Sequence, residues 1–206
     1  MTRSFQSLEL CDLVPELNRR GVDDITLLAP PGFGAPVPDG FGGTRLDHRD
    51  WLVSELEAIG EPVDLVGHDW GAGHVYAVAA ARPDLLRSWS ADCAGLVHPD
   101  YEWHPAAAVW QTEAAGEESI AAIVAMTGDE IAGGFGVPER LAPSIAEHLD
   151  QTMGQAILRI YRSAPLVDVR GSGSGRRRTG VILVTRLRRR RRRHHAIGEQ
   201  RDQGLH

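Results

Sequence analysis

The feature that most constrains the fold is the stretch from Leu65 to Gly73, which reads Leu-Val-Gly-His-Asp-Trp-Gly-Ala-Gly. An apolar run, Val63 to Val66, precedes the turn as a strand would, and the apolar spacing after Asp69 is typical of a helix. Glycines two residues before and two residues after Asp69 favour a tight turn whose backbone segments come too close for side chains. The pattern predicts a strand, a sharp turn and a helix, with the Asp69 carboxylate at the carboxyl edge of a sheet.

Strand and helix patterns alternate on both sides of this turn. Helices are predicted over 12–20, over a segment that Asp47 caps and Gly60 ends, and from the turn to Arg82; strands are predicted over 25–29, 62–66 and 86–91. Parallel strands joined by helices are covered on both faces. The predicted fold class is α/β, a three-layer αβα sandwich with a mostly parallel sheet.

The strand pattern stops at Gly95. Helix-like segments follow at 105–114, 117–127 and 138–162, with a turn predicted over 133–136. The aromatic residues of this region include Tyr101, Trp103, Trp110 and Tyr161.

The segment Gly67-His68-Asp69-Trp70-Gly71 resembles the nucleophile elbow of α/β-hydrolases, in the variant with aspartate as nucleophile found in epoxide hydrolases and haloalkane dehalogenases. Upstream, Ile25 to Pro30 followed by Pro31-Gly32-Phe33-Gly34 is similar to the strand and turn that precede the elbow in that family. The resemblance covers roughly residues 4 to 163. It implies a partial α/β-hydrolase core over 1–95 and a helical cap over 96–163 that forms a lid over the site, in which Tyr101, Trp103, Trp110 and Tyr161 are either lid core or substrate contacts. The family pattern ends there, and the divergent Arg-rich tail over 164–206 is expected to be disordered or poorly packed.

The resemblance also implies a chemistry. Asp69 would attack an epoxide carbon or a carbon bearing halide and form an alkyl-enzyme ester, which water activated by a histidine then hydrolyses. Trp70 would stabilise the oxyanion through its N–H or contact a halide, and Asp92 is the candidate acid. Phe33, Tyr101, Trp103 and Tyr161 are the candidate substrate-binding residues, and either tyrosine could polarise an epoxide oxygen. The alternatives are an ordinary helix N-cap for Asp69 and a surface loop residue for Asp92.

Two parts of that machinery have no counterpart in the sequence. The chain starts at or after the position of the family's His-Gly oxyanion loop, and no histidine follows nucleophile and acid in a Gly-His loop. The sequence therefore predicts impaired turnover, or a catalytically inactive remnant of a hydrolase. The abrupt change of composition near residue 163 suggests a shift of reading frame in a GC-rich gene, a hypothesis that the nucleotide sequence tests.

The tail differs in charge from the rest of the chain. Residues 164–206 carry 12 Arg against three acidic residues, although the formal net charge of the whole chain is −6. The run Val181 to Val184 could form one more strand, and Gly171 to Gly175 is typical of a flexible linker. Six consecutive arginines could neutralise phosphates, but without interleaved aromatic residues they do not favour nucleic acid as a partner.

The remaining expectations are simple. We expect a small-molecule substrate, no cofactor and no metal, and make no prediction of oligomeric state. Cys11 and Cys93 are predicted to be buried thiols rather than a disulfide. The sequence shows neither a membrane span nor the apolar core of a signal peptide, so a cytoplasmic protein is predicted.

Overall fold

A computed structural model of the protein describes residues 12–93, 101–135 and 137–164, and the backbone of residues 181–185. In chain order the elements are α1 (Leu13–Arg19), β1 (Ile25–Leu28), α2 (Arg45–Ile59), β2 (Val63–His68), α3 (Trp70–Ala81), a 3-10 turn (Pro83–Leu85), β3 (Leu86–Ala91), α4 (Pro105–Gln111), α5 (Ala115–Val124), α6 (Gly128–Phe135), α7 (Ala142–His148), α8 (Gln151–Arg162) and β4 (Val181–Thr185). The fold is mixed α/β, which confirms the predicted class at this level.

The sheet has the strand order β1-β4-β2-β3. Strands β2 and β3 are parallel, and β4 pairs antiparallel with both β1 and β2, so β1, β2 and β3 run in the same direction. The additional strand predicted near residues 181–184 is therefore confirmed, inserted between β1 and β2. The rest of the predicted tail lies outside the described residues.

Side chains alternate between the two faces of the sheet. Leu28 of β1 and Leu65 of β2 pack with Leu52 and Val75 of the helices α2 and α3. On the opposite face, neighbouring positions of the same strands pack against α1: Ile25, Leu27 and Val66 meet Val14 and Leu17. A period of two residues places successive side chains on opposite faces, and this alternation brings helices to both sides of the sheet.

The start of α2 differs from the prediction. Thr44, rather than Asp47, is the N-cap residue: its hydroxyl oxygen accepts from the Asp47 N–H at 3.2 Å, and the Asp47 carboxylate accepts from the Thr44 N–H at 2.9 Å. The two residues form a reciprocal capping box, in which the acidic partner lies three residues inside the helix. The predicted end is confirmed, because Gly60 adopts a left-handed conformation with φ of 79°.

The helical region after β3 also contains corrections. The predicted turn over 133–136 is wrong for its described residues, because α6 continues through Phe135 after a start in which Thr127 and Glu130 cap each other. The predicted helix over 138–162 is two helices, since Asp150 accepts a hydrogen bond from the Met153 N–H at 2.8 Å and begins α8. Residues of α4, α5 and α8 enclose a buried cluster that also contains Phe33. The domain boundaries stay predictions.

Within the described part of the chain, no helix combines the length and the apolar character needed to cross a membrane.

Candidate active site

Asp69 lies at the turn between β2 and α3 in a strained backbone conformation, with φ of 52° and ψ of −120°. A positive φ is unfavourable for a residue with a Cβ atom and costs about 1 to 3 kcal/mol. Although Asp69 occupies the N-cap position of α3, its side chain makes no capping hydrogen bond. Ordinary N-caps have extended backbone and bond the first turn, so helix capping does not account for this aspartate.

Gly67 makes the turn possible. A Cβ atom at this position would overlap the backbone carbonyl of Gly71 and a methyl group of Val75. Strand β2 nevertheless continues to His68, two residues beyond the predicted end, because β3 and β4 both pair with it at Gly67. The strand therefore runs directly into the turn, and the first turn of α3 packs back onto its last residues.

Asp92, immediately after β3, forms hydrogen bonds to two residues of this turn. Its Oδ1 accepts a hydrogen bond from the Asp69 backbone N–H at 3.0 Å, and its Oδ2 contacts Nδ1 of His68. The Tyr76 hydroxyl donates to the Asp92 backbone carbonyl at 2.9 Å. Burial would raise the pKa of Asp92, but the hydrogen bonds from His68 and Asp69 outweigh it and hold that pKa below its ordinary value. Asp92 thus lies beside the candidate nucleophile, and its role as catalytic acid stays a prediction.

Cys93 adjoins the same carboxylates. The prediction of a buried thiol is wrong for Cys93, which is exposed two residues after the edge strand β3. Cys11 lies outside the described residues. Partial desolvation of the thiol, together with the charges of Asp92 and Asp69, raises the pKa of Cys93 to about 12. The thiol is therefore protonated at neutral pH and is a poor nucleophile.

Aromatic side chains from α3 and the cap region meet next to Asp69. The ring of Trp70, the next residue, stacks on Trp103 with centroids 5.7 Å apart and lies edge-on to Tyr161 at 5.1 Å. Trp103 also contacts Tyr101 at 5.4 Å. The pKa of Tyr101 is raised by burial first, then by the charges of Cys93 and Asp69. The structure thus brings four predicted site residues together in one aromatic cluster: Trp70, Tyr101, Trp103 and Tyr161.

His104 holds Tyr161 in this cluster. Its Nδ1 accepts a hydrogen bond from the Ala107 backbone N–H at 3.2 Å, as the N-cap of α4, and its Nε2 lies 2.9 Å from the Tyr161 hydroxyl oxygen. Trp110 packs edge-on to Tyr161 at 4.8 Å, and the tyrosine is only 6% exposed. The Tyr161 ring is therefore fixed on several sides.

Phe33 belongs to the same buried cluster but lies toward α2. It is 4% exposed, and its ring centroid is 5.8 Å from that of His48. His48 in turn stacks on His74, with centroids 5.1 Å apart and rings 4° from parallel. Burial, then the neighbouring His48, lowers the pKa of His74 to about 3. Both histidines are neutral in the folded protein at neutral pH, and the His48 ring of the pair packs against Phe33.

Two histidines that contact candidate site residues are not identified by the elbow motif. The link of His68 to Asp92 depends on pairing between β2 and β3 that a motif does not specify. The contact of His104 with Tyr161 joins positions that are far apart in the sequence. The only local signal for His104 was its position before Pro105, typical of the residue preceding a helix.

No arrangement of three or more His, Cys, Asp or Glu side chains suited to a metal ion occurs among the described residues. Comparison with protein-family models, curated proteins and solved structures finds no match. The chemical assignment therefore depends on the geometry around Asp69 and on the residues that resemble the hydrolase elbow.

Proposed function

We propose that the protein is an α/β-fold hydrolase in which Asp69 is the nucleophile toward an epoxide or alkyl halide. The observation that carries this proposal is the conformation of Asp69, which is strained and makes no capping bond. The strained backbone of a residue that caps no helix has an explanation if the turn holds its carboxylate in position to react. The resemblance of Gly67 to Gly71 to the elbow of Asp-nucleophile hydrolases supports the same assignment.

The surroundings fit the first step of that reaction. The carboxylate would attack an electrophilic carbon, the bond to epoxide oxygen or halide would break, and an alkyl ester of Asp69 would form. Trp70 opens α3, so its backbone N–H lies in the first turn, where helix N–H groups have no intrahelical acceptor. That N–H is a candidate donor to the ester oxygen. The aromatic cluster supplies apolar surface for the rest of the substrate.

Turnover of the ester requires a base. The described histidines other than the buried His74 make specific polar contacts: His48 with two backbone carbonyls, His68 with Asp92, His104 with Tyr161, and His148 with Ser144. This observation favours the second candidate function, a hydrolase-derived protein that forms the ester but hydrolyses it slowly or not at all.

Intact-protein mass spectrometry tests both candidates. The purified chain is incubated with 1,2-epoxyhexane or 1-bromohexane, with Asp69→Asn as control. The proposal expects an adduct that the Asn variant lacks. An adduct that disappears within minutes of reagent removal indicates a competent hydrolase, and one that persists for hours indicates the slow form. A folded chain that gives no Asp69-dependent adduct with either reagent contradicts the proposal.

A further inference from the structure

The backbone of Asp69 needs contacts that hold it in its strained conformation. A residue with a Cβ atom keeps a positive φ only where its surroundings fix the backbone. The Asp69 N–H donates to Oδ1 of Asp92 at 3.0 Å, across 23 positions of the sequence. The turn that carries the candidate nucleophile is thus bonded to the end of the neighbouring strand β3.

The same carboxylate binds the residue before Asp69. Its Oδ2 contacts Nδ1 of His68, the last residue of β2. One carboxylate therefore binds the side chain of His68 and the backbone N–H of Asp69, two residues joined by a single peptide bond. Because both oxygens are used, the carboxylate fixes the orientation of that peptide group, next to the carbon atom that bears the Asp69 side chain.

Asp92 is itself held through its backbone. Its N–H donates to the Gly67 carbonyl at 3.4 Å, just beyond the point where Gly67 pairs with Ala91, and its carbonyl accepts from the Tyr76 hydroxyl at 2.9 Å. A group that is fixed in advance can orient its neighbour without reorganising during a reaction.

We propose that Asp92 and His68 are positioning residues that hold the Asp69 turn, and that Asp92 acts on formation of the Asp69 ester rather than on its hydrolysis. The inference depends on the proposed function. An acid that supports hydrolysis orients the histidine that activates water and stabilises the charge that forms on it. Within the described part of the chain, the histidine in contact with Asp92 is His68, which belongs to the turn itself.

The two roles require different properties of Asp92. Positioning requires polar atoms at the places of the two carboxylate oxygens, and asparagine supplies them. Its oxygen can accept from the Asp69 N–H, and its NH₂ group can donate to Nδ1 of the other neutral tautomer of His68. Stabilising a charged histidine requires the negative charge, which asparagine lacks. Asp92→Asn and Asp92→Ala therefore separate the two roles.

The rate of ester formation tests the proposal. Alkylation by 1,2-epoxyhexane is followed by intact-protein mass spectrometry over a range of reagent concentrations, with circular dichroism showing that each variant is folded. We expect Asp92→Ala to lower the rate constant at saturation about tenfold or more, because the Asp69 carboxylate is less often in the reactive orientation, and to leave the half-saturating concentration within about twofold. Asp92→Asn should keep the rate constant within about threefold of the wild type.

A matched pair of substitutions applies to His68. His68→Asn places an amide N–H near the position of Nδ1 and keeps a donor to Asp92, whereas His68→Leu removes the donor. We expect the leucine variant to slow alkylation about threefold or more and the asparagine variant to stay within about twofold of the wild type. Equal rates for these two variants would overturn the inference for His68.

Three other results would contradict the proposal. Equal loss of rate in Asp92→Asn and Asp92→Ala would show that the negative charge is required. Alkylation of Asp92→Ala at the wild-type rate would remove the positioning role, and slowed hydrolysis of its ester would then assign Asp92 as the catalytic acid. In both cases the proposed function stands. No alkylation of the wild type by the epoxide or by 1-bromohexane would remove the proposed function and the inference together.

Hydrogen exchange checks the contact without any reaction. We expect the Asp69 amide proton to be protected from exchange in the wild type and in Asp92→Asn, and to lose about tenfold or more of that protection in Asp92→Ala. Exchange of this amide in the wild type at the rate of an unstructured peptide would overturn the inference.

Discussion

At the scale of single residues, the site depends on a conformation rather than on an unusual residue. Asp69 adopts a positive φ, and the glycine two residues earlier removes a Cβ atom that would overlap the first turn of α3. Both features are consequences of a short local pattern. For this reason the turn could be predicted from the sequence alone.

Gly67→Ala is expected to destabilise the fold. The added methyl group would overlap the Gly71 carbonyl, which is backbone and cannot move aside as a side chain can. We expect the free energy of unfolding to fall by about 2 to 4 kcal/mol, measured by urea denaturation.

Gly133→Ala is the matched control, because a Cβ atom there has open space within α6. It is expected to gain up to about 1 kcal/mol, since alanine is a better helix former than glycine. Equal stability of the wild type and the Gly67→Ala variant would show that the tight turn does not form.

Contacts between distant residues could not be predicted in the same way. The His104–Tyr161 bond joins positions 57 residues apart, and nothing in either neighbourhood specifies the other. The exposure of Cys93 similarly depends on β3 lying at the end of the strand order. An apolar pattern describes how a segment packs on average, and it does not give the position of its strand in the sheet.

At the scale of elements, the local signals were accurate where one interaction dominates. Strand β3 begins and ends at the predicted residues, and Gly60 ends α2 as predicted. Errors occurred where two signals compete, as at Thr44 and Asp47, which cap one helix together. The antiparallel insertion of β4 between β1 and β2 is a long-range pairing that a short apolar run cannot specify.

Strand β4 offers a test of the sheet. Residue Leu183 pairs with Leu27 of β1 and with Val66 of β2. Leu183→Pro removes a backbone N–H from a central strand, and we expect it to lower the free energy of unfolding by about 3 kcal/mol. If Leu183→Pro unfolds at the same urea concentration as the wild type, β4 does not contribute to the stable sheet.

At the scale of the whole molecule, the buried His48–His74 pair couples stability to pH. Burial lowers the pKa of His74 to about 3 in the folded protein, whereas the unfolded chain has the ordinary value near 6.5. Between these values the unfolded state binds a proton that the folded state does not bind. Stability contributed by neutral His74 is therefore fully present above about pH 6.5 and is lost as the pH falls.

We expect the free energy of unfolding to fall by on the order of 3 kcal/mol as the pH is lowered from 7 to 4, because the unfolded chain protonates His74 and the folded protein does not. His74→Phe keeps a ring for stacking on His48 and cannot be protonated. Urea denaturation of the wild type and of His74→Phe is compared across that pH range. The other titratable groups are present in both proteins, so the difference between the two reports on His74. The wild type should lose more stability than the variant, and parallel curves for the two proteins would contradict the assignment.

The central claim, that Asp69 is a nucleophile, is tested most directly by locating the alkyl group. Trypsin cleaves after Arg, so Asp69 and Cys93 fall in different peptides, 50–87 and 88–140, provided that Arg82–Pro83 stays uncut. After reaction with 1,2-epoxyhexane, tandem mass spectrometry should place the added mass on Asp69, and Asp69→Asn should abolish it. Modification of Cys93 instead, or of neither residue in a folded chain, would contradict the account.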